Sequence, residues 1–344
     1  MAYIEISKDN YWYNIDFLSK KAGGKEKLMV VLKDNAYGHG LEIMAKLSCG
    51  FGIKKSAVKT LDEAKKISFL FDEVLILADH PPRELQVDGI SYAVHSIEGL
   101  KKFPKQSSVH INIDSGMHRN GIRVSEIEEA FEIVVENKLH LNGIFTHFRS
   151  ADELSCEQFW QNENFEKAKL VAKNLVQKYD LVMPKFHSCN SASLLRRKTP
   201  LDDDFARCGI STYGYTHLHE TLIGEDICLK PVMSLWAEKL STRELKKGDR
   251  VGYGGTFEMP ENGEVSTYDI GYGDGFFRHD GKSELLLENR AICGRVSMDS
   301  FAMLGREEKV RLFYNAHYLA QKFGTITYDI ITKISPYIRR VVVT

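Results

Sequence analysis

The chain has 344 residues, enough for two domains or for one barrel with an appendage, and 43% of them are hydrophobic, an ordinary share for a globular protein with a sizeable core. Its 46 Lys and Arg stand against 47 Asp and Glu, so charge gives no argument for a nucleic acid or an anionic membrane as partner. The opening Met1-Ala2-Tyr3-Ile4-Glu5-Ile6 lacks the basic region and apolar core of a signal peptide, and no apolar run approaches the ~20 residues of a spanning helix, so a cytoplasmic location is expected. The six cysteines (Cys49, Cys156, Cys189, Cys208, Cys228 and Cys293) form no C-x-x-C pair and read as reduced thiols. The 12 histidines show no H-E-x-x-H spacing, so no metal is expected.

From residue 27 to about 215, short apolar runs alternate with helical patterns, the mark of a parallel α/β fold. Eight strands are predicted: Leu28–Leu32, Gly52–Val58, Val74–Ala78, Ile90–Val94, Val109–Ile113, Gly143–Thr146, Lys185–His187 and Phe205–Cys208. Helical stretches lie between them, at Thr60–Leu70, at Ser125–Asn137 and from Asp152 to about Tyr179. Eight β/α units in roughly 200 residues fit a TIM (β/α)8 barrel. A doubly wound open sheet is the alternative, but no G-x-G-x-x-G follows the first strand. After about residue 222 turn signals multiply (Lys246-Lys247-Gly248-Asp249, Pro260-Glu261-Asn262-Gly263) and short alternating runs follow, Ser283–Leu287 and Ala291–Cys293 among them. This reads as a mostly antiparallel β-domain, with a helix after residue 306 and a last strand over 337–343. The expected domains are a barrel over 8–222 and a β-domain over 223–344.

The first strand ends on Lys33 and runs into Asp34-Asn35-Ala36-Tyr37-Gly38-His39-Gly40. Packing explains a lysine there poorly, because lysines are almost never fully buried unpaired. A Schiff-base lysine explains it well: in a partly desolvated pocket its pKa falls and it becomes an amine nucleophile and a base. The carboxyl ends of the other strands, where a barrel puts its chemistry, carry Asp114 to Arg119, His147, Asn190-Ser191 and Arg207-Cys208-Gly209-Ile210.

The segment Val31 to Gly40 resembles the pyridoxal-phosphate (PLP) lysine motif of the alanine racemases, V-K-A-N-A-Y-G-H-G, with Asp34 in place of the usual alanine. The resemblance covers nearly the whole chain. It implies a fold of a (β/α)8 barrel followed by a mostly β C-terminal domain that the N-terminal strand 1–7 joins. It implies PLP on Lys33, with the phosphate near Tyr37, Asn190, Ser191, Gly209 and Ile210. Arg207 would face the pyridine nitrogen, in a segment similar to the family's R-x-G-I-x-x-Y-G, and His147 would stack near the ring. Arg119, in a match to D-T-G-M-x-R, would contact the substrate carboxylate. Many relatives place a carbamylated lysine where Asn112 stands, and a bound anion such as chloride is expected in its stead.

Tyr253, in Val251 to Phe257, resembles the second acid/base, which in this family enters the partner's site and so implies a homodimer. Tyr272 and the pair Met298-Asp299 resemble residues at the site mouth and in the small side-chain pocket; Tyr337 takes no firm role. The resemblance thus implies interconversion of L- and D-alanine by a Lys33/Tyr253 pair, supplying D-alanine for peptidoglycan. A broad-specificity racemase, a basic amino-acid decarboxylase of the same fold and a non-catalytic PLP carrier are the alternatives.

Overall fold

The structure, a computed structural model, describes residues 1–84, 88–279 and 284–344. The chain divides into two compact units. The larger, Trp12–Ala36 with Leu41–Lys230, holds eight strands: β2 (Leu28–Val31), β3 (Lys55–Val58), β4 (Glu73–Ile76), β5 (Ile90–Val94), β6 (Ser108–Asn112), β7 (His140–Phe145), β8 (Lys185–His187) and β9 (Ala206–Cys208). All neighbouring pairs are parallel, in the order β8-β7-β6-β5-β4-β3-β2-β9. Backbone hydrogen bonds from Asp204 to Phe186 and from Arg207 to Cys189, both 2.9 Å, join the two outer strands and bring the sheet close to closure. The predicted barrel is therefore present. Buried strands of this kind read as continuous apolar runs because helices cover one face and the barrel interior the other; β2 is buried at every residue.

Helices fill the crossovers. Thr60 caps Leu61–Ile67 by accepting the Glu63 N–H at 3.3 Å, and the longest helix is Glu157–Lys178. That helix starts five residues after Asp152, and β3 starts at Lys55 because Gly52 turns the chain with φ +99°.

The second unit comprises Met1–Tyr11, Tyr37–Gly40 and Pro231–Thr344. Its spine is β10 (Met233–Leu245), 13 residues long. The first half of β10 pairs antiparallel with β1 (Tyr3–Ser7), in register Ile4↔Leu235. Two hairpins follow, β11 (Arg250–Val251) with β12 (Phe257–Glu258), and, after β13 (Gly263–Tyr268), β14 (Leu286–Leu287) with β15 (Arg290–Ala291). Of the strand predicted from Ser283 to Leu287, Ser283 lies outside the described residues. β16 (Phe301–Leu304), β17 (Lys309–Phe313) and β18 (Arg339–Val343) complete a sheet of order β16-β13-β10-β1-β18, with β17 also on β10. The sequence reading put a helix after residue 306 and no strand before it. The chain forms β17 first, because Val310 and Leu312 alternate inward against β10, and helices follow only at His317–Lys322 and Thr327–Thr332.

One buried ion pair ties the long helix to the end of β8. The Lys169 ammonium pairs with Asp203, whose other oxygen accepts the Ser188 N–H at 2.6 Å and the Ser188 hydroxyl. Burial works against the Lys169 charge, but Asp203 and, at the more exposed end, Glu166 at 2.7 Å outweigh it and raise the Lys169 pKa. Removing one partner leaves the other charge buried. Asp203→Ala should therefore cost about 3–5 kcal/mol in urea unfolding, and a loss under 1 kcal/mol would contradict the pairing.

Candidate functional site

Lys33 leaves the carboxyl end of β2 half-buried, with no hydrogen-bond or ion-pair partner among the described residues. The next four residues, Asp34 to Tyr37, all have positive φ, between 51° and 56°. This is a left-handed turn without a glycine, and each such residue costs roughly 1–2 kcal/mol, least for Asn and Asp. Local bonds hold it. The Ala36 N–H donates to Leu32 at 2.8 Å and the Asn35 N–H to Glu63 at 3.0 Å. The Asn35 side chain accepts the Leu41 N–H at 2.9 Å. Asp34, the departure from the family motif, points outward and pairs with Lys59 at 3.2 Å.

Tyr37 clusters with the second unit, where its ring packs on Tyr328 at 5.9 Å. Arg340 donates to the Gly38 carbonyl at 2.8 Å, and a Cβ on Gly38 would lie 2.0 Å from the Ile331 oxygen. Tyr328 and Arg340 thus support the loop, and neither shows a signal in the sequence.

Four of the expected residues gather at the carboxyl face of the barrel. His147 is depressed to about 3, by burial first and then by the positive charges of Arg207, Arg119 and Lys33. It is a neutral imidazole ringed by cations. Arg207 is buried and has no salt bridge among the described residues; burial lowers it to about 10. Its Nη1 donates to His187 Nδ1 at 2.6 Å and to the His187 carbonyl at 2.8 Å, and its Nη2 to the Thr146 carbonyl at 2.6 Å. Arg119 is exposed and unpaired among the described residues.

Ser191 begins a short helix after β8, and its Oγ accepts the N–H groups of Gly209 at 3.1 Å and Ser211 at 3.4 Å. Ile210 begins the one-turn helix Ile210–Tyr213, whose first N–H groups have no acceptor within the helix. The Ser211 hydroxyl is buried with no partner. This donor-rich cradle suits an anion such as a phosphate group. Asn190 belongs to its frame: its side chain caps the helix by accepting the Ser193 N–H at 2.9 Å.

The anion expected beside Asn112 meets unfavourable chemistry. His95 Nε2 donates to the Leu77 carbonyl at 2.7 Å, so Nδ1 of the neutral ring accepts, and the Asn112 amide donates to it at 3.1 Å. The Asn112 carbonyl oxygen is left buried and without a partner, an acceptor where an anion needs donors. Arg149, where the family usually has a small residue, bridges two loops. It donates to the Gly116 carbonyl at 2.8 Å, pairs with Glu157 and lies 5.8 Å from the Trp160 ring centre.

The remaining expected residues lie in the second unit. Tyr253 sits 68% exposed in a turn flanked by Gly252 and Gly254, both at φ +72°. Tyr272 and Met298 are also exposed, on two loops zipped together: Tyr272 N–H donates to Ser297 at 3.1 Å, and Gly273 N–H to Met298 at 2.8 Å. Asp299 is exposed beside Met298, and Tyr337 is almost fully exposed. Among the described residues no group of His, Cys, Asp or Glu could hold a metal ion, and no helix is long and apolar enough to cross a membrane.

A near-closed parallel barrel bearing a lysine, a buried arginine and a donor-rich cradle at its carboxyl face, with a β-domain after it, defines a two-domain barrel enzyme. The comparisons name the family. Residues 6–217 match the family model "Alanine racemase, N-terminal domain", and residues 232–342 match "Alanine racemase, C-terminal domain". The chain is 48% identical over 340 residues to an alanine racemase of a Nitratiruptor species, covering 99% of each, and 42% identical over 344 residues to one of Campylobacter jejuni, covering 100% of each. Among solved structures, an alanine racemase from Bacillus anthracis with bound L-Ala-P superposes with a TM-score of 0.86 at 29% identity, over 100% of this chain and 95% of that one. A histidine racemase from Leuconostoc mesenteroides shares the fold, with a TM-score of 0.83 at 24% identity over 100% of this chain and 98% of that one. The chain belongs to the alanine racemase family and is an isomerase.

Two outcomes test this geometry. Ser191→Ala strands two buried N–H donors and should cost about 1–3 kcal/mol, read by urea unfolding; an unchanged midpoint would show that the cradle stands without it. The second concerns pH. His147 is about 3 here against about 6.5 unfolded, so between those values the unfolded chain binds the extra proton. Its contribution to stability is present above about pH 6.5 and is lost as pH falls toward 3. Glu73, whose carboxyl is held below its ordinary value by hydrogen bonds from His110 and Ser91, acts in the same direction below about pH 4.5. Calorimetry should find the melting temperature falling steadily from about pH 7 to about pH 4.

Proposed function

We infer that the enzyme interconverts L- and D-alanine with PLP as cofactor. The observation that carries this reading is the half-buried Lys33 after β2, on the same barrel face as the buried Arg207 and the donors around Ser191, in a chain that matches both alanine racemase domains. The residues suit PLP: the Ser191 and Ser211 hydroxyls and the Ile210 N–H, on a frame set by Gly209, offer donors to a phosphate group. Lys33, with no competing partner among the described residues, offers an amine for covalent attachment. When bound, PLP supplies the electron sink that stabilises negative charge at the substrate Cα.

The residues of the chain do the rest. Arg207 stays protonated, so toward a ring nitrogen it can only donate a hydrogen bond, and the ring stays a weaker sink than one paired with a carboxylate. Arg119, free of partners, binds the substrate carboxylate. Lys33 Nζ removes and returns the Cα proton on the D-face. The partner subunit's Tyr253 serves the L-face, which accounts for a tyrosine so exposed on a single chain. Met298, Asp299 and Tyr272 border a small side-chain pocket. The product is D-alanine for peptidoglycan, made in the cytoplasm by a homodimer.

Proton NMR in D2O tests this. With L-alanine the Cα–H signal should disappear, and chiral analysis should find D-alanine. Tyr253→Phe should slow exchange from L-alanine by about 10²–10⁴-fold while sparing exchange from D-alanine, and Lys33→Ala should abolish both. Decarboxylated product from lysine or ornithine would replace this reading with the decarboxylase. Equilibrium sedimentation should give twice the 39.2 kDa chain mass, and a monomer that racemises would refute the shared site.

A further inference from the structure

The interior of a (β/α)8 barrel is normally filled by branched apolar side chains. Here a line of polar groups crosses it. Arg207 Nη1 lies 2.6 Å from His187 Nδ1, His187 Nε2 lies 2.8 Å from His110 Nδ1, and His110 Nε2 lies 2.8 Å from Glu73 Oε1. Glu73 is the first residue of β4, at the opposite end of the barrel from the face that carries Lys33. There it borders a cavity with Lys55, Ser91, Asn142 and Lys185.

The direction of every bond is fixed. A guanidinium only donates, so His187 Nδ1 carries no proton. A neutral His187 therefore carries its proton on Nε2 and donates to His110 Nδ1. His110 Nδ1 must then be bare, so its proton sits on Nε2 and points at Glu73. A cationic His110 would need His187 to give up both its protons, which an imidazole does not do at any working pH. The line holds two neutral rings between one cation and one anion, all pointing the same way. Such chains polarise cooperatively.

The surroundings fit this arrangement. His187 is stacked between Phe145 at 5.0 Å and Phe205 at 4.3 Å. Gly143 makes room for His110: a Cβ there would lie 2.2 Å from His110 Nδ1, and β6 and β7 slip register at that point. The Ser91 hydroxyl donates to Glu73 at 2.9 Å and receives the Asn142 amide at 3.1 Å. Lys55, opposite Glu73 in register, adds positive charge near the carboxylate. Nothing in the proton-transfer reading uses Glu73 or His110.

We propose that Glu73 is a positioning residue for Arg207, the anionic end of a one-way relay Arg207→His187→His110→Glu73 that sets the orientation and polarisation of the guanidinium from the far side of the barrel. This rests on the reading that Arg207 faces the cofactor ring.

Joint neutron and X-ray diffraction of the full-length holoenzyme tests the relay. Deuterons are expected on Nε2 of both His187 and His110, with none on either Nδ1 or on Glu73. A deuteron on His110 Nδ1 or on the carboxylate overturns it. The companion experiment compares Glu73→Gln with Glu73→Asp. Glu73→Gln should shift the 15N resonance of the labelled cofactor ring nitrogen and lower kcat about tenfold at unchanged KM, the worth of one charge-assisted hydrogen bond, and Glu73→Asp should restore most of both. A folded Glu73→Gln enzyme that loses only thermal stability, with resonance and kcat unmoved, reduces Glu73 to packing and overturns the proposal. If the protein takes up no PLP, the reading of the site fails separately, and the neutron map still decides the relay.

Discussion

A cation buried in the barrel without a carboxylate beside it is the constraint on which the rest depends. Among the described residues Arg207 donates to His187 and to three backbone carbonyls, those of Thr146, His187 and Ser188, and lies 4.9 Å from the Phe145 ring centre. Taking a guanidinium out of water is expensive unless its donors are filled. The barrel fills them from the strand ends, so the ends of β7 and β8 must sit where the guanidinium reaches. The buried Asp203 fixes Ser188 and with it that end of β8. His147, two residues beyond β7, then lies among positive charges and stays neutral. Position, protonation and strand geometry are one problem with one solution.

The two units divide the work differently. The barrel offers its groups buried and preorganised, held by bonds to backbone. The β-domain offers Tyr253, Tyr272 and Met298 exposed, on turns held by glycines and short backbone bonds.

The barrel was legible because strands buried on both faces appear as uninterrupted apolar runs, and Lys33 stood out because it ends one. The cradle was legible as Ser191 and Gly209-Ile210, since barrels often build an anion site from the loops after their last two strands and the second segment resembles a family motif. Other features left no local trace. The left-handed turn contains no glycine, and Asp-Asn-Ala-Tyr predicts an ordinary loop. The contacts of Glu73 with His110, and of His110 with His187, join residues 37 and 77 positions apart, a relation that only the closed sheet creates. In the β-domain, β17 was not predicted, because a short apolar run carries no period of its own; the neighbouring β10 decides it.

The left-handed turn has a consequence for the order of folding. Four consecutive residues in that conformation lose several kcal/mol against a relaxed chain, so the segment after Lys33 does not form by itself. It forms when Leu32, Glu63 and Asn35 are already placed to hold it. That makes it a late structure, absent from the folding nucleus and the first to relax when neighbouring contacts loosen. The amine at Lys33 therefore takes up its position only in an assembled barrel, and a partly folded chain presents it as one surface lysine among many.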